Sequence, residues 1–119
     1  MALRPIAFSI PSSTELKIIF SEPVSELISK DNFKVESLSG NTDDLQVIGV
    51  SVNNSVILVK TRPQSSGNYY LLKMLDTDVT DFKSNSGAPL VRDEVSREIF
   101  FVGIENVNPV RDRIFESVP

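Results

Sequence analysis

The sequence predicts an all-β sandwich of about seven antiparallel strands. Apolar and polar residues alternate at a period of two wherever the chain shows a regular pattern, as they do in half-buried strands. These segments follow one another at short intervals and are separated by Pro, Gly, Asn and Ser, which favour turns. No long segment has the period of about 3.6 residues that an amphipathic helix needs, so the pattern favours a sandwich over an α/β fold.

The clearest predicted strand is Glu15–Phe20. Leu16, Ile18 and Phe20 share one face of this strand and are predicted to lie in the core, while the side chains between them face outward. Pro23 has a fixed φ and lacks a backbone N–H, so the strand is expected to end at or before this residue.

The same reasoning from residue patterns applies to the segments on either side of this strand. Residues 5–10 are predicted to form a preceding strand, and residues 11–14 supply the turn that makes the two strands an antiparallel pair. Residues 24–28 are predicted to form one helical turn. Residues 76–91 have no steady period and are predicted to be irregular. The apolar residues in phase in the first strand are Ile6, Phe8 and Ile10.

Five further strands are predicted, at residues 32–36, 45–52, 55–60, 68–74 and 98–102. Asn53 and Asn54 separate two of them and are predicted to form a two-residue hairpin turn, because Asn tolerates positive φ better than most residues do. In the fourth of these strands, Tyr70, Leu72 and Met74 form the more apolar set and are predicted to face the core.

The composition lacks residues on which most enzyme mechanisms depend. The chain has 119 residues, enough for one domain with its own core, and contains no Cys and no His. Disulfides and thiolate metal sites are therefore excluded, and the commonest metal ligand and neutral-pH general base is missing. The acidic pairs Asp43–Asp44 and Asp93–Glu94 lie in polar, loop-like surroundings, and Glu22 is predicted to be a turn residue. We expect no enzymatic activity and no cofactor.

The charge pattern excludes other classes of partner. The formal net charge is -4, and the Lys and Arg residues are spread along the chain without forming a basic cluster, so we expect no nucleic-acid binding. No apolar run is long enough to insert into a membrane. Residues 1–5 carry one positive charge and precede no long apolar run, so no signal peptide is predicted.

Three aspartates in the irregular segment are a candidate metal site. Asp76, Asp78 and Asp81 could supply oxygen ligands from one loop, which is what calcium prefers. The spacing does not match an EF-hand, because the required Gly and the bidentate Glu are missing. The alternative is that these carboxylates cap turns and accept backbone hydrogen bonds.

Tyr69 is a candidate binding residue. If Tyr70 faces the core, Tyr69 stands on the outer face of the same strand beside Leu71. An exposed aromatic ring there could stack on a sugar or on a partner protein. The alternative is a cross-strand pair with another side chain of the sheet.

A domain boundary is predicted near Gly103. Residues 1–103 form the predicted sandwich domain, and residues 104–119 are predicted to be a linker or the start of a following region. Ile114, Phe115 and Val118 would have nothing to pack on in an isolated sandwich. We expect this chain to be part of a longer protein.

A Phe-Ser-Glu-Pro run at residues 20–23 follows directly from the clearest predicted strand. It belongs to a set of segments at residues 16–24, 32–35, 67–72, 79–81 and 85–87, together with Phe100. In these segments the sequence resembles the bacterial immunoglobulin-like domains of S-layer and surface-adhesion proteins, and the Phe-Ser-Glu-Pro run is the most specific match. The resemblance implies an immunoglobulin-like sandwich that repeats in tandem as a spacer or adhesive module, with no catalytic residues to carry over.

These expectations define three functional hypotheses. The first is a structural or spacer module of a larger cell-surface protein, or of a phage virion if no signal peptide precedes the domain, with other domains or subunits as partners. The alternative is an adhesion domain that binds a carbohydrate or a protein receptor through the loops at residues 37–44 and 76–88. An enzyme would require a deep pocket that holds carboxylates with shifted pKa values.

Overall fold

The computed structural model describes residues 3–40, 43–77, 80–90 and 97–104. Seven strands account for nearly half of this part of the chain, and one short 3₁₀ helix, Lys30–Asn32, precedes the third. The strands are β1 (Pro5–Ser12), β2 (Glu15–Phe20), β3 (Phe33–Ser37), β4 (Val47–Asn53), β5 (Val56–Thr61), β6 (Tyr69–Met74) and β7 (Glu98–Val102). The predicted number and approximate positions of the strands are confirmed.

The strands form two antiparallel sheets. The four-stranded sheet has the order β1-β2-β5-β4, and the three-stranded sheet has the order β3-β6-β7. If the strands are lettered A to G in chain order, the two sheets read A-B-E-D and C-F-G. Side chains from the inner faces of both sheets make one core, so the predicted all-β sandwich is confirmed.

The period-two alternation correctly predicts the inner faces of β2 and β6. Leu16, Ile18 and Phe20 are buried, and so are their counterparts Tyr70 and Leu72 on the opposite sheet. Each such side chain contributes roughly 1.5–3 kcal/mol when it is fully removed from water. The side chains between these two strands therefore contribute strongly to the stability of the sandwich.

The first strand departs from the simple alternation at Ile6. A register shift lies between Pro5 and Ala7 in the β1–β2 pair, so Ile6 is left without a partner in the ladder and its side chain is 63% exposed. Phe8, two residues further, packs against the core. As the outer strand of its sheet, β1 tolerates Pro5 because an edge position can lack an amide donor.

The predicted helical turn at residues 24–28 is wrong. Val24 instead forms an isolated bridge with Ser84, and a turn follows in which the Ile28 amide donates to the Ser25 carbonyl at 3.3 Å. The residues just beyond it, Lys30–Asn32, form the 3₁₀ helix. Long-range pairing with residue 84 overrides the weak local preference for a helix.

Asn32 connects this helix to the irregular segment. Its side chain is buried, and its Nδ2 donates to the carbonyls of Leu75 at 2.8 Å and Thr80 at 3.1 Å. Its Oδ1 accepts the amide of Ser29 at 3.1 Å. Because each polar atom of the amide has a partner, the burial of this polar side chain is compensated.

The β4–β5 hairpin turn lies one residue later than predicted. Asn53 pairs with Val56, so the two turn residues are Asn54 and Ser55, and Asn54 has a φ of 56°. The Ser55 carbonyl accepts the amide of Phe20 at 2.7 Å, and the Asn54 carbonyl accepts the amide of Val24 at 2.8 Å. The hairpin turn thus anchors the exit of β2.

The segment at residues 76–90 is irregular, as predicted, but its described residues do not form a loop that lies wholly on the surface. Phe82 and Leu90 are buried in the core. Two isolated β-bridges, Leu3–Leu90 and Val24–Ser84, pair the segment with residues just before β1 and just after β2. It closes the end of the sandwich at which β2 and β6 finish.

Candidate functional site

Asp76 is engaged by two groups of its own chain. Its Oδ1 accepts the backbone amide of Phe82 at 2.8 Å, and its Oδ2 lies 3.4 Å from Nη2 of Arg97. Arg97 also donates to the Leu90 carbonyl at 3.2 Å. The carboxylate therefore fastens the irregular segment to the residue just before β7.

The structure describes one of the other two predicted metal ligands, Asp81. Asp81 is exposed, and Asp78 lies outside the described residues. Thr77 and Thr80 close the loop by a reciprocal pair, in which the Thr77 amide donates to the Thr80 carbonyl and the Thr80 amide to Oγ1 of Thr77, both at 2.9 Å. Within residues 3–40, 43–77, 80–90 and 97–104, no group of three or more acidic side chains is arranged to hold a metal ion. Calcium binding by Asp76, Asp78 and Asp81 stays a prediction.

Tyr69 stands on the outer face of the three-stranded sheet and is 51% exposed. Its ring stacks against that of Phe100 on β7, with centroids 5.6 Å apart and an angle of 23° between the planes. The expected cross-strand partner therefore exists. The alternation in residues 98–102 places Phe100 and Val102 on one face, and the register between β6 and β7 determines that Tyr69 stacks on Phe100.

Tyr69 belongs to a larger exposed apolar surface, which we call the outer patch. It lies on β6 and β7, whose register pairs Tyr69 with Val102 and Leu71 with Phe100. It extends to Leu38, just after β3, whose amide donates to the Tyr69 carbonyl at 2.8 Å. The outer patch consists of the exposed residues Leu38, Tyr69, Phe100 and Val102 together with the half-buried Leu71.

A charged cluster borders the outer patch on the same face. The carboxylate of Glu36 lies 3.0 Å from Nζ of Lys73 and 3.3 Å from Nζ of Lys34, and Lys73 lies 4.0 Å from Glu98. Hydrogen bonds from Lys73 and then Lys34 lower the pKa of Glu36 below its ordinary value. With two charges of each sign, the cluster is neutral as a whole.

The two loops predicted to bind a ligand lie at opposite ends of the sandwich. Residues 37–44 begin where β3 pairs with the start of β6, at Ser37 and Tyr70. Residues 76–88 follow the far end of β6, where Met74 pairs with Phe33. One small ligand could therefore not touch both loops.

Two open grooves flank the segment that crosses from one sheet to the other at residues 43–46. One, of about 430 Å³, is lined by side chains that include Lys30, Lys34 and Leu45. The other, of about 460 Å³, is lined by residues that include Arg62 and Tyr70. Both grooves are open to solvent along the surface of the sandwich.

No helix in the part of the chain that the structure describes is long and apolar enough to cross a membrane.

Comparison with known proteins identifies similar folds. No protein-family model matches the chain, and no curated protein matches it. Among solved structures, it is similar to the N-terminal part of the bacterial S-layer protein SbsC, with a TM-score of 0.69, 19% identity and coverage of 87% of this chain and 24% of that one. It is also similar to the S-layer protein rSbsC(31-844), with a TM-score of 0.68, and to domains 1-6 of surface layer protein SbsC, with a TM-score of 0.64. Both of these are 19% identical, with coverage of 86% of this chain and 14% of theirs. The chain therefore has the fold of one part of a much longer protein.

Proposed function

We propose that this chain is a non-enzymatic structural module of a larger cell-surface protein of the S-layer kind. The observation that carries the proposal is the similarity to SbsC, which covers 87% of this chain but only 24% of the SbsC fragment. A sandwich that corresponds to one part of a long surface protein is what a building block of such a protein is expected to be.

Two features support an immunoglobulin-like type of sandwich. The order A-B-E-D and C-F-G of the strands is that of constant-type immunoglobulin domains. The hydroxyl of Tyr70, at the start of β6, accepts the backbone amide of Ser65 at 3.0 Å. This bond resembles the tyrosine corner, in which a Tyr near the start of strand F bonds to the backbone a few residues upstream.

The positions of the first and last described residues support a spacer role. Leu3, the first described residue, donates its amide to Pro89 in the segment that closes one end of the sandwich. Ile104, the last described residue, donates to Oε1 of Gln64 at the opposite end, where the Gln64 amide bonds the β1–β2 turn at Ser13. A chain that enters at one end and leaves at the other can link neighbouring domains in a row.

The chemistry of the described side chains supports a non-enzymatic role. The sequence has no His and no Cys. The pKa of Glu36 is shifted downward by lysines on an outer face, whereas a general acid needs a raised pKa in a cleft that binds substrate. The proposed module acts by contacting other domains or subunits through its surfaces and by linking neighbouring domains through its two ends.

Adhesion is the second candidate, because an exposed aromatic pair, Tyr69 and Phe100, stands on an outer face. A glycan array with the purified chain separates the two roles. A spacer gives no binder, whereas binding that is lost in Tyr69→Ala would establish the adhesion role.

The complete open reading frame and its genomic neighbours test the structural proposal. We expect an export signal and further sandwich domains in the same polypeptide. Neighbouring genes for tail, baseplate or capsid proteins, without an export signal, would instead assign the module to a phage virion.

A further inference from the structure

The outer patch is the largest group of exposed apolar side chains that the described residues form on one sheet face. Tyr69 is 51% exposed and Phe100 57%, and Leu38 and Val102 are close to half exposed. With aromatic side chains of about 200 Å² each, the patch presents an apolar area on the order of 400 Å². Patches of this size on monomers often mark a site of interaction.

The charges around the outer patch distinguish this face from the rest of the molecule. The chain carries a net charge of -4, so two copies repel each other overall. The cluster beside the patch contains Lys34 and Lys73 against Glu36 and Glu98, and its charges are already paired within the face. Two copies that meet through this face bring no uncompensated like charges together.

We propose that the outer patch is a contact surface for a second copy of this chain, with the three-stranded sheets of the two copies packed face to face. The inference rests on the proposed function, because a structural module of a surface assembly must meet other copies or domains. In such a two-fold contact each patch meets the same patch on the partner, and sheet faces pack about 10 Å apart.

The size of the outer patch sets the strength of this contact. Stable complexes bury roughly 800 Å² on each partner, about twice the apolar area available here. Isolated copies should therefore associate weakly, and the contact becomes effective where copies are held close together in an assembly.

The chemistry of the face favours a second copy over other partners. A strongly basic partner would bind the acidic remainder of the surface rather than a neutral face. Aromatic side chains at the centre of a patch with paired charges beside it are typical of protein–protein contacts.

Sedimentation equilibrium of the purified full chain tests the proposal. We expect reversible dimerisation at concentrations up to about 1 mM, the order of affinity expected for an interface below the standard size. Tyr69→Thr and Phe100→Thr should each weaken the association by at least about tenfold, and Thr keeps a high strand propensity. The matched control is Ile48→Thr, because Ile48 is 50% exposed on the other sheet.

A second measurement removes any dependence on the variants. Amide chemical shifts of the unmodified chain should move with protein concentration at residues 69–71 and 100–102 and stay constant on the four-stranded sheet.

A monomer at every concentration, or an association that Ile48→Thr weakens as much as Phe100→Thr does, would overturn the proposal. Shifts at these amides that appear only when a cell-wall oligosaccharide is added would assign the patch to sugar binding instead. None of these outcomes bears on whether the parent protein lies at the cell surface, so the proposed function is tested separately.

Discussion

The ring of Phe82 lies 5.6 Å from the ring of Phe20, centroid to centroid, and thereby brings the irregular segment into the core. A third ring, that of Phe33, meets Phe82 edge-on at 5.4 Å. Phe20 ends β2 in one sheet and Phe33 begins β3 in the other. Phe82 therefore joins the two sheets at the end of the sandwich where β2 ends and β3 begins.

Phe82→Ala should destabilise the domain by about 3–5 kcal/mol, because it removes a fully buried ring and leaves a cavity between the sheets. Urea unfolding measures the loss. The control Phe100→Ala removes the same ring from an exposed position and should cost less than about 1.5 kcal/mol, the upper value for an aromatic pair. Equal losses for the two variants would contradict the role given to Phe82.

Asp76→Ala should cost about 1–3 kcal/mol, because it leaves the Phe82 amide without its acceptor and removes the partner of Arg97. Asp81→Ala is the matched control, since Asp81 is exposed in the same segment, and it should change the free energy of unfolding by less than about 0.5 kcal/mol.

The same two variants test the calcium prediction. Both oxygens of Asp76 are already engaged, so we expect millimolar calcium to leave the Tm of the unmodified chain unchanged. A calcium-dependent rise in Tm that Asp76→Ala and Asp81→Ala both abolish would establish the metal site.

Glu36 should make the free energy of unfolding decrease as the pH becomes acidic. Because Lys73 and Lys34 lower its pKa in the folded state from the ordinary value of 4.5, its stabilising contribution is complete above that value and is lost as the pH falls through the lowered pKa. Glu36→Gln should therefore be less stable than the unmodified chain at neutral pH, and the difference should disappear in acid. Thermal unfolding across this range measures the difference. The control Glu26→Gln, at an exposed position, should show no such trend.

Gly103 is held at a close approach that excludes a side chain. A Cβ at this position would overlap the carbonyl oxygen of Ser65 and lie 2.9 Å from Cε2 of Tyr70. Gly103→Ala should therefore cost about 1–3 kcal/mol. Gly49→Ala is the control, because a Cβ there meets nothing within 4 Å. A neutral Gly103→Ala in denaturant unfolding would refute this packing.

The period-two pattern was enough to predict the inner faces of regular strands. Leu16, Ile18 and Tyr70 are buried as expected, because alternation is a local property that survives in the folded sheet. Ile6 is exposed because a register shift, which depends on the partner strand, interrupts the alternation. The burial of Phe82 could not be predicted, since its segment has no period and takes its position from contacts distant in sequence.

The candidate sites show the same division between local and long-range information. That Tyr69 lies on an outer face follows from its strand alone, but its stacking partner Phe100 depends on the register between β6 and β7. The sequence alone shows that the aspartate loop is rich in oxygen ligands, whereas the pairing of Asp76 with Arg97 joins residues 21 positions apart. Sequence pattern thus predicts which face a residue occupies better than it predicts what the residue contacts.

Immunogold electron microscopy of intact source cells, with antibodies raised against the purified domain, tests the central claim most directly. The structural role at the cell surface predicts dense labelling of the outer face of unbroken cells. Label that appears only after the cells are broken, or only on virus particles, would contradict it.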